Sequence, residues 1–132
     1  MSKIFALSEA SSIAIHSMVL IARSENGINA VKIAEVTGFS KNHIAKVLQR
    51  LVKVEMLKSV RGPSGGFSLR MDPKQISLLD IYQSIEGPLD VGECPLSYDL
   101  CGFDRCLMGS VVSKLTLEFK RFLQGQTLQS YL

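Results

Sequence analysis

Long apolar runs are missing from the 132 residues. The longest, Met18 to Ala22, is far too short to cross a bilayer core about 30 Å thick. The start, Met-Ser-Lys-Ile-Phe-Ala-Leu, has no secretory pattern, so a cytoplasmic protein with no membrane partner is expected. Cysteine is scarce, at three residues, and an odd count cannot close into a disulfide framework. In a reducing compartment such thiols are expected to bind metal. No Cys-x-x-Cys knuckle occurs, which disfavours a structural zinc ribbon. Histidine is scarcer still: His16 and His43 are the only two, and neither lies near a cysteine in sequence. There is no nucleophile motif and no paired-carboxylate arrangement. The Gly-Pro-Ser-Gly-Gly run lacks the Gly-Lys-Ser/Thr ending of a nucleotide loop. These absences argue against an enzyme.

Hydrophobic residues make up 46% of the chain, enough for a real core, and the length suits one domain. The net charge is +3, but its two signs are segregated. Between Ser40 and Arg70 lie Lys41, Lys46, Arg50, Lys53, Lys58, Arg61 and Arg70, against Glu55 alone. Between Asp72 and Cys106 lie Asp72, Asp80, Glu86, Asp90, Glu93, Asp99 and Asp104, against Lys74 and Arg105. A charge run alone is ordinarily a solvated face; a basic block followed by an acidic one suggests two tasks in one domain.

Local signals order the elements. Ser8 can cap a helix to about Arg23, with Ala10, Ile13, Ala14, Met18 and Ile21 inward. Asn29 starts a helix over 30–37 with Ile33 and Val36 inward, and Gly38 breaks it. Ser40 can cap a third helix to about Glu55 with Ile44, Val47, Leu48 and Leu51 inward. Two helices joined by a short turn at a glycine read as helix-turn-helix. Leu57–Val60 and Phe67–Arg70 are β-prone, and the Arg61-Gly62-Pro63-Ser64-Gly65-Gly66 loop between them makes a hairpin, hence a wing. Ser77 and Asp80 form a capping-box-like start to a helix ending at Gly87-Pro88. A last long helix, about Leu107 to Leu123, carries Val111, Leu115, Phe119 and Phe122 at helical spacing. The expected fold is mainly α with a small β-wing: a winged helix-turn-helix plus a long C-terminal helix.

Recognition helices read the major groove with their N-terminal side chains. Here those are Ser40, Lys41, Asn42 and His43, with Lys46 and Arg50 following. The lysines and Arg50 can neutralise phosphates; Asn42 and His43 can address base edges. Arg61, on a glycine-rich hairpin with Gly62, Pro63, Ser64, Gly65 and Gly66, can enter a minor groove. The cysteines Cys94, Cys101 and Cys106 are spaced Cys-x6-Cys-x4-Cys. Soft thiolates suit iron–sulfur clusters and zinc. The plainer reading is three free thiols with one or two simply buried, which three within thirteen residues of an acidic loop weigh against. A thiol redox switch without metal is a further reading.

On these residues the chain resembles the Rrf family of winged-helix transcriptional regulators, which includes iron–sulfur regulators of the IscR and NsrR type. The likeness runs from Leu7-Ser8 through Ser40-Lys41-Asn42-His43-Ile44-Ala45-Lys46 and the specific Ser59-Val60-Arg61-Gly62-Pro63-Ser64-Gly65-Gly66 wing to the cysteine triplet and Thr127-Leu128. It implies a homodimeric DNA-binding repressor on a pseudo-palindromic operator. It also implies a 2Fe–2S or 4Fe–4S iron–sulfur cluster on Cys94, Cys101 and Cys106, sensing nitric oxide, redox state or cluster supply. The implied division is 7–76 for DNA, 77–106 for a linking helix and cysteine loop, and 107–132 for dimerisation. The family pattern is departed from in three places. Ala45 stands where the cluster-biogenesis branch has glutamate. Gly109 stands where one branch has a ligating histidine. Ser12 stands where another has an aspartate contributed by the first helix of the partner subunit. His16, one turn on, is then the candidate fourth ligand, with Asp104 a further one. The alternative is a cluster-free regulator controlled by cysteine oxidation or by a protein partner.

Overall fold

The computed structural model describes residues 7–62, 65–89 and 101–132. Helix α1 (Glu9–Arg23) begins where Ser8 Oγ accepts the Ser11 N–H at 3.1 Å. Helix α2 (Ala30–Thr37) begins where Asn29 accepts from Lys32, and it ends at Gly38, whose φ of 83° is a conformation glycine adopts without penalty. Helix α3 (Lys41–Lys53) is capped by Ser40. Each cap satisfies a backbone donor that a helix start leaves unpaired. Strands β1 (Leu57–Val60) and β2 (Gly66–Leu69) pair antiparallel, with Leu57 opposite Leu69 and Val60 opposite Gly66. Helix α4 (Leu78–Glu86) opens with the full reciprocal capping box of Ser77 and Asp80. Helix α5 (Val111–Gly125) closes the chain, followed by a short 3-10 turn at Leu128–Tyr131.

One contiguous core holds these elements. Ile13, Ala14, Met18 and Ile21 of α1 meet Ile33 of α2, and Ile44, Val47, Leu48 and Leu51 of α3. Leu57, Phe67, Ile76, Leu78, Leu79, Ile81, Ile85, Leu123 and Leu128 complete it. The tail is stitched into this body rather than set apart: Leu128 N–H donates to Ile76 O at 3.0 Å and Leu78 N–H to Gln126 O at 2.9 Å. Beside the hairpin, Ile28 exchanges both backbone hydrogen bonds with Phe67, at 3.1 and 2.8 Å.

Three expectations shift. Val36 points out, 57% exposed; α2 is short, and only Ile33 of its apolar pair reaches the core. Helix α3 stops at Lys53, with Glu55 at a φ of 64°. The last helix starts at Val111, not Leu107, because Gly109 and Ser110 both take left-handed backbone, with φ of 61° and 59°. Its spacing is as expected, but its apolar residues divide. Leu123 is buried and Phe119 packs edge-on against Tyr82 at 5.4 Å, while Val111, Leu115 and Phe122 face outward.

Leu48 has no exposed surface and sits where α3 meets the core. Truncating it to alanine leaves a cavity, so Leu48→Ala should lower the unfolding free energy by about 2–5 kcal/mol. A urea midpoint unchanged from wild type would contradict this packing.

Candidate nucleic-acid interface and cysteine segment

The two sides of α3 are chemically opposite. Ile44, Val47, Leu48 and Leu51 are buried, while Lys41, Asn42, Lys46, Gln49 and Arg50 are exposed and His43 is half-buried. Ser40 is committed to the helix start, its Oγ accepting the His43 N–H at 3.4 Å. The imidazole of His43 has its Nδ1 3.7 Å from a carboxylate oxygen of Glu9, the first residue of α1. Gln49 was not singled out from the sequence. Asn42, Lys46 and Gln49 succeed one another at helical spacings of four and three, which put the three on one side; that spacing was the available signal. Arg50 differs from its neighbours, because its Nη2 donates to Ile85 O of α4 at 2.9 Å.

Arg61 and Gly62 are exposed at the tip of the β1–β2 hairpin, and Pro63 and Ser64 lie outside the described residues. The two following glycines are demanded by the protein's own backbone. A Cβ on Gly65 would stand 2.4 Å from Val60 O, and one on Gly66 would stand 2.4 Å from Ile28 O. Both distances are far inside contact, so the slim hairpin owes its shape to the absence of side chains there.

Of the cysteines, Cys94 lies outside the described residues; Cys101 and Cys106 are half-buried free thiols. Backbone hydrogen bonds from Ser110 and Met108, in the turn ahead of α5, hold the Cys106 thiol below the usual range. Among the described residues, no group of three or more His, Cys, Asp or Glu could hold a metal ion. The donor chemistry nevertheless fits a soft metal: two thiols on one short segment, one of them favoured as thiolate by fixed N–H dipoles. Asp104 lies on the same segment and is exposed.

His16 is exposed on α1. Its Nδ1 is 2.6 Å from Ser12 O; a carbonyl only accepts, so Nδ1 carries the proton and Nε2 keeps its lone pair. The ring meets Phe39 edge-on at 6.0 Å and borders an open cleft of about 540 Å³ that Val19, Leu20, Arg23, Val36 and Tyr131 also line.

A polar knot unseen in the sequence joins α1 to α4. The hydroxyls of Ser8 and Ser11 both donate to Glu86 Oε1, that of Ser11 at 2.6 Å. Those hydroxyls, Ser11 first, hold the Glu86 carboxyl below its usual range. A depressed carboxylate contributes stability above the ordinary carboxylate range and loses it as pH falls through the lowered value.

The sequence profile of the Rrf2 family, described as an iron-dependent transcriptional regulator, matches residues 7–132. The chain belongs to that family. It is 42% identical over 67 residues to the HTH-type transcriptional regulator BadM of Rhodopseudomonas palustris, covering 51% of this chain and 43% of that protein. It is 31% identical over 103 residues to the transcriptional regulator NsrR of Bacillus subtilis, covering 76% of this chain and 70% of the other. The chain therefore spans less than half of BadM. Among solved structures, IscR of T. potens superposes with a TM-score of 0.74 at 26% identity, covering 96% of this chain and 85% of that one. CymR of B. subtilis, the global cysteine regulator, superposes at 0.79 with 21% identity, covering 96% and 95%. The fold is thus that of winged-helix Rrf2 regulators. The relatives are named as transcriptional regulators rather than enzymes.

The Cys106 environment makes a pH prediction. In a Cys94→Ser/Cys101→Ser protein, alkylation of Cys106 by iodoacetamide should rise with a midpoint below that of free cysteine, because the thiolate persists to lower pH. A midpoint at or above that of free cysteine would remove the role given to the Ser110 and Met108 N–H groups.

Proposed function

We propose that this Rrf2-family chain is a cytoplasmic, homodimeric transcriptional repressor that grips a pseudo-palindromic operator and releases it when an iron–sulfur cluster is damaged or lost. The observation that carries the DNA reading is the exposed, acid-free side of α3 bearing Lys41, Asn42, Lys46 and Gln49, opposite a wholly buried apolar side. Lys41 and Lys46 would neutralise phosphates; Asn42 and Gln49 carry the paired donor and acceptor that suit adenine in the major groove. Ser40 holds the helix start, His43 reaches base edges, and Arg61 with Gly62, Pro63, Ser64, Gly65 and Gly66 forms the wing that enters the minor groove.

The dimer reading rests on α5. Leu115 is 49% and Phe122 57% exposed, and Val111 lies on the same outward side. Such a contiguous apolar strip on a helix asks for a second copy. The working division is then 7–76 for DNA, 77–106 as link and cysteine loop, and 107–132 for dimerisation.

Cys94, Cys101 and Cys106 would hold the cluster, with His16 of a second copy as fourth ligand through its free Nε2. A bound iron–sulfur cluster supplies soft iron that nitric oxide and oxidants attack. The family description as iron-dependent and the similarity to NsrR and IscR support this cofactor. The chain's own part is mechanical. Leu89 N–H donates to Gln83 Oε1 at 3.0 Å, tying the entry of the cysteine segment to α4, and α4 packs against both α1 and α3. A change in how the thiols are held thereby reaches the helices that carry the DNA-facing side chains; shifts of about 1–2 Å are enough at such interfaces. The cysteine regulator CymR shares the fold, which favours a second reading: control by cysteine oxidation or by a protein partner, without a cluster.

Two outcomes are expected. Lys41→Ala should weaken binding to all duplexes and lower the salt slope by about 1 per protomer, whereas Asn42→Ala should cost about 1–3 kcal/mol on the preferred operator only. Gel-shift titrations across salt concentrations separate the two, and normal binding by both variants would refute α3 as the reading helix. Cys101→Ser protein, purified without oxygen, should lose visible absorbance and change its operator affinity. An affinity equal to that of wild type would end the sensing claim and leave the second reading.

A further inference from the structure

Two successive residues at the end of α4 are held by two different helices. The Ile85 carbonyl, one of the last four that a helix leaves without an internal partner, accepts from Arg50 Nη2 of α3 at 2.9 Å. The next residue, Glu86, takes the hydroxyls of Ser8 and Ser11 at the start of α1. Gly87 then turns the chain with a φ of 84°, its N–H on Gln83 O at 2.9 Å. At the opposite end of α3, His43 faces Glu9 of α1 across 3.7 Å. The helix read as entering the groove is therefore hydrogen-bonded to α4 near its C-terminal end and faces a carboxylate of α1 near its start.

Arg50 stands apart from the other basic residues of α3. Among the described residues Lys41 and Lys46 have exposed side chains that meet no acceptor, whereas the guanidinium of Arg50 is engaged on α4, within electrostatic reach of the Glu86 carboxylate. A phosphate approaching Arg50 would meet that negative charge and compete with an existing charge-assisted hydrogen bond. The planar, multi-donor guanidinium suits a carbonyl clamp of this kind better than a lysine would.

We propose that Arg50 is a positioning residue, locking α3 to the end of α4, and that with Glu86 and Ser11 it sets the angle at which the recognition helix meets DNA. This rests on the reading of α3 as the helix that enters the groove. Arg50 then contributes to discrimination between sequences but not to the count of neutralised phosphates. Glu86 and Ser11 contribute to the same property although neither lies on α3.

The experiment uses the full chain and two duplexes: one selected by the wild-type protein from a randomised library, and one of unrelated sequence. Binding is measured across a salt series. For Arg50→Met, affinity for the selected duplex should fall roughly tenfold, as for loss of one charge-assisted hydrogen bond. Binding to the unrelated duplex and the slope of log K against log salt should stay at wild-type values. A slope reduced by about 0.9 per protomer, with equal losses on both duplexes, marks a phosphate contact and overturns the proposal. Glu86→Ala, which removes the acceptor of the Ser8 and Ser11 hydroxyls, should reproduce the loss of discrimination at unchanged slope, and the double variant should lose less than the sum of the two. Glu86→Ala also carries the test if Arg50→Met does not fold. Wild-type discrimination in Glu86→Ala, or additive losses, would equally overturn it. Failure of the underlying reading shows separately, as an Asn42→Ala protein that binds the selected duplex normally.

Discussion

The burial of one side of α1 is the constraint on which the remaining elements depend. Ile13, Ala14 and Met18 have no exposed surface and Ile21 has 1%, and α1 packs on α3, α4, β2 and the C-terminal turn. Each large aliphatic side chain so buried contributes about 1.5–3 kcal/mol. An interior packed to crystal-like density does not deform smoothly, so the helices around α1 move as units or not at all. That rigidity lets a winged helix present side chains to a groove, and it also lets a disturbance at the end of α4 be felt at α3.

Polar chemistry is placed where the rigid body needs direction rather than bulk. The apolar seam between α1, α3 and α4 would tolerate sliding, since hydrophobic burial has no preferred angle. The Arg50–Ile85 and Glu86–Ser11 bonds do have one. They sit immediately before Gly87, Pro88 and Leu89, through which the chain passes toward the cysteines. The acidic half of the sequence is thus not merely solvated: Glu86 holds α1, and Asp80 holds the start of α4. Ahead of α5, the Cys106 thiol takes backbone hydrogen bonds from Ser110 and Met108.

Local chemistry was legible in the sequence and distant chemistry was not. Ser8, Asn29, Ser40 and the Ser77–Asp80 pair announce their helices because a cap acts within three residues. The core stripe of α3 was equally plain, since Ile44, Val47, Leu48 and Leu51 repeat at the helical period. The wing showed in its glycines, although the reason for Gly66, the Ile28 backbone pressed against it, depends on a strand partner far away in the chain. Val36 was placed inward by the same periodicity and lies outward, because a helix of two turns at the edge of the core buries only its middle. The grip of Arg50 on α4 spans 35 residues and that of Ser11 on Glu86 spans 75; no spacing rule reaches so far. The cysteines were legible as a triplet; Cys101 and Cys106 are half-buried free thiols, and Cys94 lies outside the described residues.

The most direct test of the account is the visible spectrum of protein purified without oxygen, with iron and acid-labile sulfide measured on the same sample. Broad visible absorbance accompanied by iron and sulfide, lost together in Cys106→Ser protein, is the predicted result. A colourless, iron-free protein that stays so after anaerobic reconstitution would contradict the cluster account and leave a DNA-binding regulator governed by its thiols or by a partner.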